Sequence, residues 1–251
     1  MGPGQIEMVE VAPRDGLQNE KTLIETADKI ALIERAIAAG SRRIEVTSFV
    51  NPKAVPQMAD AEAVCEGLPE RNDVTFIGLV MNARGATRAL ATGRIDQLGA
   101  VAVSTDSFAM ANQGQTSDGS VDAAKEIIAL SQAAGKTGQV TLGASFGCPF
   151  EGEVAQDRVV AMAVALADAG PVEIGLADTI GVGNPAQVAS LVAKVRAAVP
   201  HIPVRVHFHN TRGTGLANVW AAIAAGAVTV DASIGGLGGC PFTPGAAGNV
   251  S

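Results

Sequence analysis

Short apolar, β-branched runs that end in polar residues alternate along this chain with longer alanine-rich stretches. The runs are "IEMVEV" (6–11), "RIEVTS" (43–48), "VTFIGLV" (74–80), "LGAVAVS" (98–104), "QVTLGASF" (139–146), "VEIGLA" (172–177), "VRVHFH" (204–209) and "VTVDAS" (228–233). Their length and residue types predict eight strands, roughly one every 31 residues. Stretches such as "TADKIALIERAIAAG" (26–40) and "VAQDRVVAMAVALADAG" (154–170) repeat their apolar positions at helical spacing. Four of them close in Ala-Gly, at Ala39-Gly40, Ala134-Gly135, Ala169-Gly170 and Ala225-Gly226, where glycine suits a left-handed helix end. Asn184 followed by Pro185 reads as a helix cap and first helical residue.

Strands and helices in strict alternation predict a parallel sheet, and eight such units predict a (β/α)8 TIM barrel. A dinucleotide-binding sheet is disfavoured, because no Gly-x-Gly-x-x-Gly follows the first strand. No linker or charge run divides the chain, so residues 1–251 read as one catalytic domain. Residues 105–120, "TDSFAMANQGQTSDGS", read as a long polar loop after strand four. The sequence reaches Ser251 within the loop after strand eight, so a closing helix is not expected in it.

Composition narrows the partners. Apolar residues make up 47% of the 251 and charged residues 17%, as in a folded globule. The net charge of −7, the absence of tyrosine and a single tryptophan argue against nucleic acid and anionic membranes. No apolar stretch is long enough for a membrane span, and the N-terminus lacks the pattern of a secretory signal. Three scattered cysteines predict a reduced, cytoplasmic protein.

The chemistry concentrates after the strands, the end where such barrels keep their active sites. His207 and His209 are two of only three histidines, and as i and i+2 in a strand they share a face. They can ligate one metal ion or form a buried hydrogen-bonded pair. After strand one, "APRDGLQNE" sets the cation Arg14 beside the carboxylate Asp15. After strand eight, "GLGGCPFTPGAAGN" surrounds Cys240 with glycine and ends at Asn249, an amide able to reach a metal. Glu45 and Thr47 near the end of strand two, Cys148 after strand five and Asp178 after strand six lie on the same predicted rim. Cys65 reads as helix packing and His201 as a surface residue.

Together "EVAPRDGLQNE", "RRIEVTSFVNPKAVPQMAD", "GCPFEGEV", "ADTIGVGNP", "HFHNT" and "GGLGGCPFTPGAAGN" resemble the 3-hydroxy-3-methylglutaryl-CoA lyase family, from residue 7 to residue 249. The resemblance implies divalent-metal ligands at Asp15, His207, His209 and Asn249, with Mg²⁺ or Mn²⁺ as the ion and Zn²⁺ or Co²⁺ as substitutes. It implies that Arg14 steadies an enolate oxygen, that Cys240 is a catalytic cysteine on a mobile loop, and that Glu45 and Asp178 are acidic residues needed for activity. The implied reaction cleaves 3-hydroxy-3-methylglutaryl-CoA into acetoacetate and acetyl-CoA. Asp178, Asp15 and His207 all remain candidates for its general base. The implied partners are an acyl-CoA substrate and further copies of the chain, and the family's later helices help to close its barrel.

Departures from the family pattern fall at the mouth. Asn210 replaces an aspartate, Arg212 a tyrosine and Thr214 a glutamine, and the loop after strand four reads "TDSF" and "NQGQT". These changes predict a related acyl-CoA substrate, with Arg212 pairing one of its carboxylates. Competing readings are a condensing enzyme of the same barrel group, an amidohydrolase and a non-catalytic metal-binding barrel. The cysteine loop favours the lyase, and the position of the histidine pair on strand seven disfavours the amidohydrolase.

Overall fold

A computed structural model describes residues 5–239 and 248–251. The strands are β1 (Glu7–Glu10), β2 (Arg43–Ser48), β3 (Thr75–Val80), β4 (Gln97–Val103), β5 (Thr137–Gly143), β6 (Ile174–Asp178), β7 (Val204–Phe208) and β8 (Thr229–Ala232). All pair in parallel with their sequence neighbours, and β1 pairs with β8 from Glu7↔Thr229 to Glu10↔Ala232, which closes the (β/α)8 barrel. Helices α1 (Thr26–Ala38), α2 (Ala61–Glu66), α3 (Ala83–Ala91), α4 (Asp106–Gln113), α5 (Ser117–Ala133), α6 (Gln156–Ala167), α7 (Pro185–Ala198) and α8 (Gly215–Ala224) lie between the strands.

Strand alternation sorts the side chains. Ile44, Val46, Leu98, Val140, Leu142, Ile174, Leu176, Val204, Val206 and Phe208 join the buried apolar cluster between barrel and helices. Their neighbours in sequence face the barrel interior, among them Arg43, Glu45, Gln139, Glu173, Arg205, His207 and Asp231. The interior is therefore unusually charged on the β2 and β5–β8 sides. Around β1 and β3 it is apolar, where Val9, Val11 and Ile77 pack together.

The expected helix ends are present. The glycines of the four Ala-Gly junctions have φ of +110°, +69°, +69° and +101°. Asn184 accepts the Gln187 amide at 3.0 Å and the Gln187 side chain reaches back to it, a capping box at the start of α7. Cys65 is buried in α2 and His201 is exposed, as expected.

Residues 105–120 differ from the expectation. They hold α4 and the first turn of α5, not a loop. The polar stretch conceals a short helix that buries only Phe108 and Ala109, so its apolar signal is weak. Gly114 in the left-handed conformation ends α4, and Thr116 caps α5 by accepting the Gly119 amide. Asp106 binds the Ser117 amide at 2.7 Å and locks the two helices together.

Candidate active site

Residues Ala12–Gly16 wind into a π-helical turn directly after β1, with Pro13 at its start, and this turn carries Arg14 and Asp15. Glu10 fixes it: the Ala12 amide donates to Glu10 Oε1 at 2.7 Å and the Ile234 amide to the same oxygen at 3.1 Å. One carboxylate thus ties the turn after β1 to the loop after β8. Burial raises the Glu10 pKa.

Across the barrel mouth, β7 delivers His207 and His209. Their Nε2 atoms stand 3.2 Å apart, and His207 Nε2 lies 4.0 Å from Asp15 Oδ2. One ligand atom each from Asp15, His207 and His209 fits within 4.8 Å. Residues 248–250 run antiparallel to the end of β7, with the Asn210 amide on the Gly248 carbonyl at 2.9 Å and the Val250 amide on the Phe208 carbonyl at 3.1 Å. That pairing sets Asn249 beside His209. The Asn249 amide nitrogen donates to Asp15 Oδ2 at 2.7 Å and to the Leu237 carbonyl at 2.9 Å. Its Oδ1 is buried with no donor among the described residues.

His207 Nδ1 sits 3.0 Å from Asp231 Oδ2. With its Nδ1 proton held there, the neutral ring keeps the Nε2 lone pair directed at Asp15 and His209. Burial disfavours a charged His207, but the Asp231 hydrogen bond and the Asp15 and Asp231 charges outweigh it and raise the pKa. Burial likewise opposes ionised Asp15, yet Arg14 and the two histidines hold its pKa well below the carboxylate range. The place favours a positive charge.

These residues fit a divalent cation. Two imidazole nitrogens, a carboxylate and an amide oxygen form a mixed nitrogen–oxygen set, and the donorless Asn249 Oδ1 is an acceptor still to be satisfied. The surrounding charge agrees. Arg14, Arg43 and Arg205 face Glu7, Asp15, Glu45, Glu173 and Asp231, three guanidiniums against five carboxylates. The excess of carboxylates favours a cation.

Arg14 lines the same cavity, with Nε on Glu45 Oε1 and Nη1 on Asp15 Oδ1 at 2.6 Å. The structure therefore gathers Arg14, Asp15, Glu45, His207, His209 and Asn249. Asp178 stands apart from them. It shares the outward face of β6 with Ile174 and Leu176, is fully buried, and does not line the cavity. Its oxygens accept the Val182 amide at 3.0 Å and the Gly183 amide at 2.9 Å, and burial still raises its pKa. Cys240 lies outside the described residues. Cys148 is buried, and its sulfur accepts from Thr105 Oγ1 at 3.1 Å.

Asn210, Arg212 and Thr214 do not line the cavity either, contrary to the expectation that they face the substrate. The loop after β7 folds towards the loop after β6: Arg212 donates to the Val182 carbonyl at 3.3 Å and Thr214 to the Gly183 carbonyl at 3.2 Å. Asn210 Oδ1 accepts the Gly215 amide at 2.9 Å. In contrast Phe108 and Asn112, from the altered segment after β4, do line the cavity.

Asp231, Arg205, Gln139 and Glu10 escape a reading of the sequence alone. The signal present was an ionisable residue inside an apolar strand run, as in "VTVDAS" and "VRVHF". Among the described residues no helix is long and apolar enough to cross a membrane.

The chain is similar to (R)-citramalyl-CoA lyase of Chloroflexus aurantiacus, 43% identical over 262 residues that cover 98% of this chain and 80% of that protein. The crystal structure of HMG-CoA lyase from Brucella melitensis superposes with a TM-score of 0.94 at 39% identity, covering 98% of this chain and 87% of that one. An HMG-CoA lyase from Acinetobacter baumannii, in complex with coenzyme A and 3-methylmalate, gives 0.92 at 40% identity over 98% and 80%. The HMGL-like family pattern matches residues 5–251, and with it the whole of the barrel just described, so the chain belongs to the HMGL-like family.

Proposed function

We propose that this protein is a divalent-metal-dependent carbon–carbon lyase. It cleaves 3-hydroxy-3-methylglutaryl-CoA, or a close 3-hydroxy acyl-CoA analogue, to acetyl-CoA and an oxo acid. The observation that carries this reading is the convergence of Asp15, His207 and His209 within 4.8 Å, in a cavity that Arg14 also lines.

Asp15, His207 Nε2, His209 and Asn249 Oδ1 are the groups that would hold the ion, with Mg²⁺ or Mn²⁺ fitting the mixed donor set. Bound there, the ion supplies Lewis-acid polarisation of the substrate's hydroxyl and carboxylate oxygens. The residues do the rest. A base takes the C3 hydroxyl proton, the C2–C3 bond breaks, and its electron pair becomes the enolate of acetyl-CoA. Arg14 has Nε and Nη1 committed to Glu45 and Asp15, which leaves Nη2 without a partner among the described residues and able to meet the enolate oxygen. Glu45 holds that guanidinium in place. Cys240, or a group it positions, returns a proton to the enolate carbon. Asp178, with both oxygens engaged by the β6 loop, shapes that loop and is the weakest of the three candidate bases. A cytoplasmic homo-oligomer is the accompanying reading, supported by the family resemblance and by Cys65 and Cys148, both free and buried.

The 43% identity to a citramalyl-CoA lyase favours a second reading. A citramalyl group carries its carboxylate on the hydroxyl-bearing carbon, one methylene closer than in the hydroxymethylglutaryl group, and its oxo acid is pyruvate. The experiment offers both thioesters to metal-stripped protein, with and without Mg²⁺ or Mn²⁺. Metal-dependent acetyl-CoA with acetoacetate supports the first reading, and with pyruvate the second. No acetyl-CoA from either thioester, by protein that folds and binds metal, refutes both.

A further inference from the structure

The charged half of the barrel interior is organised around one side chain. Arg205 comes from β7 two residues before His207, is 2% exposed and lines the cavity. Its Nε meets Asp231 Oδ1 at 2.5 Å and its Nη2 meets Asp231 Oδ2 at 2.9 Å, a two-point grip on the carboxylate that holds His207 Nδ1. Nη2 also lies 3.6 Å from Glu45 Oε2, and Glu45 is the carboxylate on Arg14 Nε. Nη1 donates to Gln139 Oε1 and stands 3.4 Å from Glu173 Oε1, which Arg43 holds at 2.6 Å.

Stability alone does not call for this arrangement. Buried ion networks are commonly no more stable than apolar side chains of the same volume. What a planar guanidinium adds is direction, because its fork fixes the orientation of each carboxylate it grips. Two of the carboxylates around it each orient one functional side chain: Asp231 meets His207 of β7, and Glu45 meets Arg14 of the turn after β1. We propose that Arg205 is a positioning residue that holds the two halves of the site in register, setting His207 through Asp231 and Arg14 through Glu45. The inference rests on the lyase reading above and extends it to a residue outside the proposed ligand set.

The test uses the full chain with Arg205→Met, Arg205→Lys and Asp231→Asn, and the Arg205→Met/Asp231→Asn pair. Mn²⁺ affinity is measured calorimetrically without substrate, and kcat and KM with the thioester that the wild type cleaves. Arg205→Met is expected to weaken Mn²⁺ binding by about 10- to 100-fold, as losses around metal ligands do. It is expected to lower kcat by at least as much, while KM for the thioester stays within about threefold. Asp231→Asn alone reproduces the Mn²⁺ loss, and adding Arg205→Met to it takes nothing further, because the two act on His207 as one unit. Arg205→Lys restores the charge without the fork and stays at least about tenfold below wild type in kcat. Folded Arg205 variants with wild-type Mn²⁺ affinity and kcat would overturn the proposal. Should Arg205→Met not fold, Arg205→Lys decides by the same two measurements. A wild type without Mn²⁺ binding and turnover overturns the lyase reading itself, an outcome distinct from normal wild type with indifferent variants.

Discussion

The cavity has two unlike walls. On one side β1, β2, β7 and β8 and their loops present Arg14, Asp15, Glu45, Arg205, His207, His209 and Asp231. On the other, β3, β4 and α4 present Leu79, Met81, Val101, Val103 and Phe108. The first wall is held by directed bonds, such as Asp231 to His207 at 3.0 Å and Asn249 to Asp15 at 2.7 Å. The second is held by packing, as in the cluster of Val103, Phe108, Ala109, Ala144 and Cys148. A charged wall tolerates no misplacement, because an unmatched buried charge is expensive, whereas an apolar wall needs only shape and volume. The charged wall therefore carries the groups of the proposed reaction, and the apolar wall is the place where a change of substrate preference is expected.

Breaking the charged wall should have the largest effect. His207→Ala removes an imidazole from the proposed ligand set and leaves Asp231 without that partner. Turnover and Mn²⁺ affinity should each fall by about a thousandfold or more, read by acetyl-CoA release and calorimetry. A change in the apolar wall should act on choice instead of rate. Met81→Ala enlarges it and should shift the kcat/KM ratio between thioesters with larger and smaller C3 substituents by about tenfold towards the larger. Outside both walls, Asn184→Ala removes the cap of α7. It should lower stability by about 1 kcal/mol, a fall in Tm of roughly 2–4 °C, with Mn²⁺ affinity unchanged. The smallest effect is expected from Arg212→Tyr, since Arg212 points at the Val182 carbonyl and not at the cavity. Thioester preference should stay within about twofold of wild type, and a larger shift would bring the β7 loop into the substrate wall.

The contrast also explains what the sequence disclosed. Strands show themselves through local alternation and helix ends through local chemistry, so the eight strand runs, the Ala-Gly ends and the Asn184-Pro185 start were legible. His207 and His209 were legible because their spacing alone puts them on one face. Asp231 was not, because its meaning depends on β8 lying beside β7 and on Arg205 and His207 facing it across that pair. Arg205 stood in the same short run as the histidines, yet only closure of the barrel gives it Asp231, Glu45 and Glu173 as neighbours. Helix α4 hid for a different reason: eight residues that bury two side chains leave too faint a periodic signal. Arg212 turns towards the Val182 carbonyl, because position after a strand does not fix which way a loop folds.

Asp15 and Asn249 are joined by a hydrogen bond although 234 positions separate them in the chain. Any ion they share is therefore a clasp between the turn after the first strand and the segment after the last, drawn shut across the β1–β8 seam. The entropy of closing so long a loop is met mainly by the folded barrel, so the clasp forms only when the seam is already in place. Its binding energy then adds to the stability of the closed form by mass action. The same contact that would assemble the chemistry makes occupancy of the site a report that the barrel, from first strand to last, has folded.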